Sequence, residues 1–154
     1  MLSARDVARY FLSKVEEDSG DGISNLKLQK LVYYAQGYHL AMYGRPLFAE
    51  RIEAWEHGPV VPELYRAYRE HGSAPIPVPD GFELPREAFA SAEEHDRTKA
   101  LLDEVYDVFG QYSAWKLRNM THEEQPWKAA YRENANREIT HEALRDYYRD
   151  YVVA

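Results

Sequence analysis

The 154-residue chain has no cysteine. That excludes a disulfide scaffold, a zinc ribbon, an iron–sulfur site and a cysteine nucleophile. Cationic side chains are in the minority: 19 Lys and Arg against 26 Asp and Glu leave a formal net charge of −7. Neutralising a nucleic-acid backbone or an anionic membrane needs clustered Lys and Arg, so the balance points away from both. Long apolar runs are missing too, and no segment approaches the roughly 20 residues of a membrane helix. The start, Met1-Leu2-Ser3-Ala4-Arg5-Asp6, lacks the basic-then-apolar order of a signal peptide, so the cytoplasm is the expected compartment. Phosphate-binding and hydrolase motifs are absent: Gly20-Asp21-Gly22 is not followed by Lys-Ser/Thr, and no Gly-x-Ser-x-Gly occurs. His122-Glu123-Glu124 is not a zinc helix, because Pro126 stands where the second histidine would be. No two of the six histidines lie three or four residues apart. No metal and no cofactor are therefore expected.

What is present reads as a soluble globular chain, 45% hydrophobic and 29% charged. The periodicity predicts one mainly helical domain over residues 1–154, built around a central apolar helix and carrying a small β-hairpin. Ser3 and Asp6 form a capping box, with Leu2 and Val7 as staple, and the helix they open is expected to stop near Glu17, before the turn Ser19-Gly20-Asp21-Gly22. Ser24 and Gly44 bracket the second helix. Leu28, Leu31, Val32, Ala35, Tyr38 and Met42 make one apolar face; Leu26, Tyr33, Gly37 and Leu40 make a stripe nearly opposite. A helix apolar on two sides is a central one, and Gly37 would admit a close neighbour. Leu47 to Trp55 is expected to form the strand pair, and His57-Gly58-Pro59 a turn.

Pro62 opens a third helix that ends at Gly72. Residues 73–85 form an extended loop pinned by Ile76, Val78, Phe82 and Leu84. Ser91 with Glu94 opens a long helix burying Leu101, Leu102, Val105, Val108, Phe109 and Tyr112. A short helix follows over Ser113 to Met120, holding Trp115 and Leu117. The last helix starts at Thr140 and buries Leu144, Tyr147, Tyr148, Tyr151 and Val152.

Two cations stand out. Lys27 and Lys30 occupy the first turns of the second helix, where the macrodipole disfavours positive charge. A salt bridge to a nearby Asp or Glu is the plain explanation; a charge kept for a carboxylate on a partner is the functional one. The acid pairs Glu16-Glu17, Glu93-Glu94 and Glu123-Glu124 are expected to be solvated. His39 reads as a packed core histidine and His57 as a turn residue. An enzyme would instead gather His39, His57 or His122 with carboxylates in a deep polar pocket.

The run Leu26-Lys27-Leu28-Gln29-Lys30-Leu31-Val32-Tyr33-Tyr34-Ala35-Gln36-Gly37-Tyr38-His39-Leu40 resembles the marked helix of the Panacea domain, the SocA-type antitoxin family. The likeness continues through Gly44-Arg45-Pro46-Leu47-Phe48, Glu53-Ala54-Trp55, the block His57-Gly58-Pro59-Val60-Val61-Pro62-Glu63-Leu64-Tyr65, and downstream Thr121-His122 and Pro126-Trp127. It implies a non-catalytic antitoxin of a type II toxin–antitoxin pair, neutralising a cognate toxin protein by direct binding. One branch of the family instead hands its toxin to a ClpXP-type protease, which is the alternative. From the misplaced charges and the loop, the expected partner contacts are Lys27, Lys30, His57, Gly58 and Pro59.

Overall fold

The computed structural model describes residues 1–16 and 22–152. Helix α1 (Ala4–Ser13) has the predicted capping box: the Asp6 amide donates to Ser3 Oγ and the Ser3 amide to Asp6 Oδ2, each at 3.0 Å. It stops at Ser13, short of the expected Glu17. The Ser13 hydroxyl donates to the Tyr10 carbonyl at 2.6 Å, competing for the acceptor that the next helical bond would use. Glu17 and the turn residues Ser19, Gly20 and Asp21 lie outside the described residues.

Helix α2 (Asn25–Tyr43) runs from the Ser24 cap to Gly44, which takes the left-handed conformation (φ +71°) and donates its amide to the Leu40 carbonyl. It is the centre of the molecule, touching α1, the strand that ends the hairpin and most of the later helices. Both predicted stripes are buried along most of their length, Leu28, Leu31, Val32 and Ala35 on one and Tyr33, Gly37 and Leu40 on the other.

The strands differ from expectation. β1 (Ile52–Trp55) and β2 (Gly58–Val60) pair across the turn Glu56-His57, and β3 (Arg137–Ile139) adds to the far side of β1. The sheet is antiparallel in the order β2-β1-β3. Gly58 and Pro59, read from sequence as a turn, lie in a strand. Pro59 is tolerated because β2 is an edge, where a missing N–H leaves no gap in a ladder. Ile52 and Ala54 face inward, and Ile52 pairs with buried Ile139.

Helix α3 (Pro62–Tyr68) continues as a 3₁₀ turn to His71. The loop after it is pinned by buried Ile76 and Leu84. Helix α4 (Ala92–Phe109) is capped by Ser91, whose hydroxyl accepts from the Glu94 amide at 3.1 Å; the Glu94 carboxylate faces Arg45 at 3.7 Å. Then come α5 (Ala114–His122), α6 (Gln125–Ala130) and α7 (His141–Tyr148), and one apolar core joins residues from Leu2 to Tyr148.

Three side chains expected on apolar, core-facing stripes are exposed instead: Met42, Val108 and Tyr151 are 45%, 43% and 57% accessible, and Trp115 is exposed as well, at 56%. The first three rim a groove of about 290 Å³ floored by Val105 and Phe109, which no described element covers. Trp115 leaves the core because α5 turns its Leu117 and Thr121 inward, putting position 115 on the outer face.

The ring of Tyr148 lies close against α2 at Gly37. A Cβ built at Gly37 would lie 2.6 Å from Tyr148 Cδ2. That ring cannot swing away. It is buried, and its hydroxyl sits 3.0 Å from the Tyr33 hydroxyl and 2.9 Å from Glu124 Oε1. Gly37→Ala gains about 1 kcal/mol of helix propensity and loses about 1–3 kcal/mol to overpacking. The expected outcome is a lower thermal midpoint by differential scanning calorimetry; a rise would refute this contact.

Candidate partner-binding site

Helix α2 carries five buried polar residues, Asn25, Gln29, Lys30, Gln36 and His39. A buried polar group without a partner costs about 1–3 kcal/mol, so each must be satisfied. Their partners are largely backbone groups of the segment between α2 and α3. Gln36 Nε2 donates to the Phe48 carbonyl at 2.9 Å, and its Oε1 accepts from the Leu47 amide at 2.7 Å. Gln29 Oε1 accepts from the Val61 amide at 2.9 Å, while its Nε2 donates to Asn25 Oδ1. Asn25 Nδ2 donates to the Tyr65 carbonyl at 3.2 Å. The helix thus holds both ends of the β-hairpin through side chains.

Lys30 lies beneath the hairpin itself, wholly inaccessible. Its Nζ donates to the Pro59 carbonyl at 3.2 Å. Among the described residues no carboxylate pairs with it. Burial, with Arg118 nearby as a second cause, lowers its pKa to about 7. Gly58 crosses directly over it at φ +108°, and a Cβ there would lie 2.5 Å from Lys30 Cε and 3.0 Å from Thr121 Oγ1. A residue with a side chain is barred here twice, by conformation and by space.

Lys27 has a different role. Its Nζ donates at 2.7 Å to the carbonyl of Gly110, the cap at the C-terminus of α4. A cation disfavoured at the start of its own helix is placed at the negative end of another. The expected salt bridge to Asp or Glu is replaced at Lys30 by a backbone carbonyl, and at Lys27 a backbone carbonyl accepts as well.

The hairpin turn meets α5. His57 is exposed, and its Nδ1 accepts from Arg118 Nε at 3.1 Å. Arginine always donates, so Nδ1 carries the lone pair and the imidazole proton sits on Nε2. The Arg118 guanidinium lies 4.4 Å from the Trp115 ring centroid, and the His57 and Trp115 rings are 6.1 Å apart. Below them the His122 ring stacks on Trp127 at 3.9 Å and 7°, and Trp127 on Tyr131 at 4.6 Å and 17°. Trp127 Nε1 donates to the Trp55 carbonyl at 2.8 Å, tying α6 to β1. Burial, joined by the field of Arg118, lowers the pKa of His122, and its buried Nε2 has no hydrogen-bond partner among the described residues.

Of the five expected contacts, the structure brings Lys30, His57, Gly58 and Pro59 together, with only His57 at the surface. Lys27 belongs to the neighbouring junction of α2 with α4. Sequence reasoning passed over Trp115 and Arg118, although three-residue spacing on a helix puts them side by side. It also misplaced Glu124. Far from being solvated, that carboxylate accepts from Tyr34 and Tyr148 at 3.0 and 2.9 Å, and burial raises its pKa to about 6. No local signal marks this, because both phenols are remote in sequence.

His39 is packed as expected, with Nδ1 2.7 Å from the Arg45 carbonyl, in a region apart from His57 and His122. Among the described residues, no three His, Asp or Glu side chains are placed to hold a metal ion. No helix of the described residues is long and apolar enough to cross a membrane.

The Lys30 geometry fixes a pH dependence. The side chain has an ordinary pKa of 10.5 and a folded one of about 7. Between these values the unfolded chain holds a proton that the folded chain lacks, so folding stability rises with pH across that window. Lys30→Met removes the titration. Urea unfolding from about pH 7 to about pH 9 should show the unmodified chain gaining stability relative to Lys30→Met; parallel curves would contradict a Lys30 that gives up its proton on burial.

The sequence model of the family described as "Antitoxin SocA-like, Panacea domain" matches residues 28–128, from the first turns of α2 into α6. Over 71 residues the chain is 45% identical to Antitoxin SocA of Caulobacter vibrioides (strain NA1000 / CB15N), a stretch covering 46% of this chain. It spans 37% of that relative's own length. No solved structure matches. With the match extending over more than half of its length and through the whole hairpin site, the chain belongs to the SocA-like antitoxin family with the Panacea domain.

Proposed function

We propose that this protein is the antitoxin of a type II toxin–antitoxin pair, that residues 1–154 act as one Panacea-like unit in the cytoplasm, and that it neutralises a cognate toxin by covering it. The observation that carries the reading is the family match, which includes the α2 helix and the hairpin it holds. The identity to a protein named an antitoxin supports it. The site has the character of a binding surface. Its one exposed histidine is held by an arginine, and its lysine lies inaccessible beneath backbone.

In this reading the five residues divide the work. His57 touches the toxin. Lys30, Gly58 and Pro59 set the height and shape of the turn that presents it, and Lys27 fixes the neighbouring end of α4. The molecule performs no catalysis.

Co-expression tests this directly. The product of the adjacent reading frame should arrest growth alone, become harmless with this chain, and co-purify with it. A pulse-chase of that product then separates mechanisms. An unchanged half-life in the presence of the chain is expected for neutralisation by covering, whereas a shortened one would replace that mechanism by delivery to a ClpXP-type protease. No rescue and no complex would refute the antitoxin reading itself.

A further inference from the structure

We propose that Trp115, Arg118 and His57 form the seat for a carboxylate, an Asp or Glu side chain on the toxin protein, at the centre of the contact surface. The inference rests on the antitoxin reading above and names the chemistry that the surface would recognise.

Three elements converge on the seat: α5 supplies Trp115 and Arg118, the hairpin turn supplies His57, and α2 supplies Lys30 beneath. The turn also carries the exposed Glu56 carboxylate, but Arg118 and His57 themselves each present an N–H donor. Arg118 Nε is taken by His57 Nδ1 and Nη1 by Asn119 Oδ1 at 3.0 Å, both neutral acceptors. Among the described residues no carboxylate pairs with Arg118, although the chain carries 26 of them. Nη2 has no acceptor among the described hydrogen bonds, and the tautomer fixed by Arg118 leaves His57 Nε2–H as a second donor. Beneath the turn, Lys30 Nζ donates to a single carbonyl, that of Pro59.

The guanidinium is also held in place. It lies over the Trp115 ring and is tied to two side chains, so little rotamer freedom remains to be lost when an anion arrives. Trp115 is more than half exposed, an arrangement that leaves a large apolar ring in water until something covers it. A covering surface would exclude water from the Arg118 side chain and strengthen a charge-assisted bond to it. Trp and Arg are the residue types that dominate binding at interface centres.

The charge balance selects a protein carboxylate over a polyanion. A nucleic acid would meet a net charge of −7 at long range, whereas one carboxylate on a folded partner meets only the local donors. Set within an acidic surface, this local reversal of sign fixes the register of the partner.

The test uses the full chain and the product of the adjacent reading frame, with affinity measured by isothermal titration calorimetry. Arg118→Glu should weaken binding about 100-fold or more and Trp115→Ala about 10-fold or more. Arg118→Lys should give an intermediate loss, because an ammonium cannot reproduce the planar, stacked contact. Lys116→Glu, an equal charge change on an exposed side chain of the same helix, should stay within about 3-fold. Thermal midpoints of the free variants within a few degrees of the parent show that they fold; for any variant that does not, Arg118→Lys and Trp115→Phe carry the comparison. An Asp or Glu to Arg change in the toxin that restores binding to Arg118→Glu would identify the partner carboxylate. A complex that forms normally with both Arg118→Glu and Trp115→Ala overturns the seat while leaving the antitoxin reading standing. Displacement of the toxin by millimolar inorganic phosphate overturns it in favour of a phosphate site. No complex with the unmodified chain overturns both.

Discussion

The structure depends on keeping polar side chains satisfied on a helix that is buried all round. Helix α2 has neighbours on both sides, so Asn25, Gln29, Lys30 and Gln36 have no water to turn to. Backbone amides and carbonyls in the connection to α3, at Leu47, Phe48, Pro59 and Val61, and within α3 at Tyr65, answer most of their bonds. Side chain and backbone each cancel the other's desolvation cost. The same bonds fix a stretch of chain whose two short strands could not hold themselves.

From that constraint the surface follows. Lys30 supports the carbonyl of Pro59, and Gly58 must lie flat across its side chain, so the turn residue His57 emerges at one height. Helix α5 then closes against β2 with Thr121 beneath Gly58, and Arg118 reaches His57. The stack His122–Trp127–Tyr131 and the bond from Trp127 to the Trp55 carbonyl lock α5 and α6 against the sheet. One turn further along α2, Tyr33, Tyr34 and Tyr148 converge with Glu124, so α7 is held by phenols as well as by apolar contact.

Much of this was legible in the sequence. The caps at Ser3, Ser24, Ser91 and Thr140, the two-sided apolar pattern of α2 and the close approach at Gly37 all rest on local spacing, and the structure has each of them. The strands were legible only in part. β2 hides behind Gly58-Pro59, which read as breakers until it is known to be an edge, and β3 is three residues whose partner is 87 positions away at Ile52↔Ile139. Periodicity cannot say whether anything covers an apolar stripe, so Met42, Val108 and Tyr151 read as buried although nothing described covers them. The site was half legible. The odd placement of two lysines at the start of α2 drew notice to the right helix, but their acceptors are carbonyls at Pro59 and Gly110, which no spacing rule names. Glu124 escaped for the same reason, since its phenol partners come from α2 and α7.

The central claim is that the α2-supported hairpin turn and α5 together are the face that meets the toxin. Amide hydrogen exchange of this chain, read by mass spectrometry with and without the co-encoded protein, tests it most directly. The account predicts new protection in residues 56–59 and 113–122, with little change around the groove bordered by Met42 and Val108. Protection confined to that groove, with the turn and α5 exchanging as in the free chain, would contradict it.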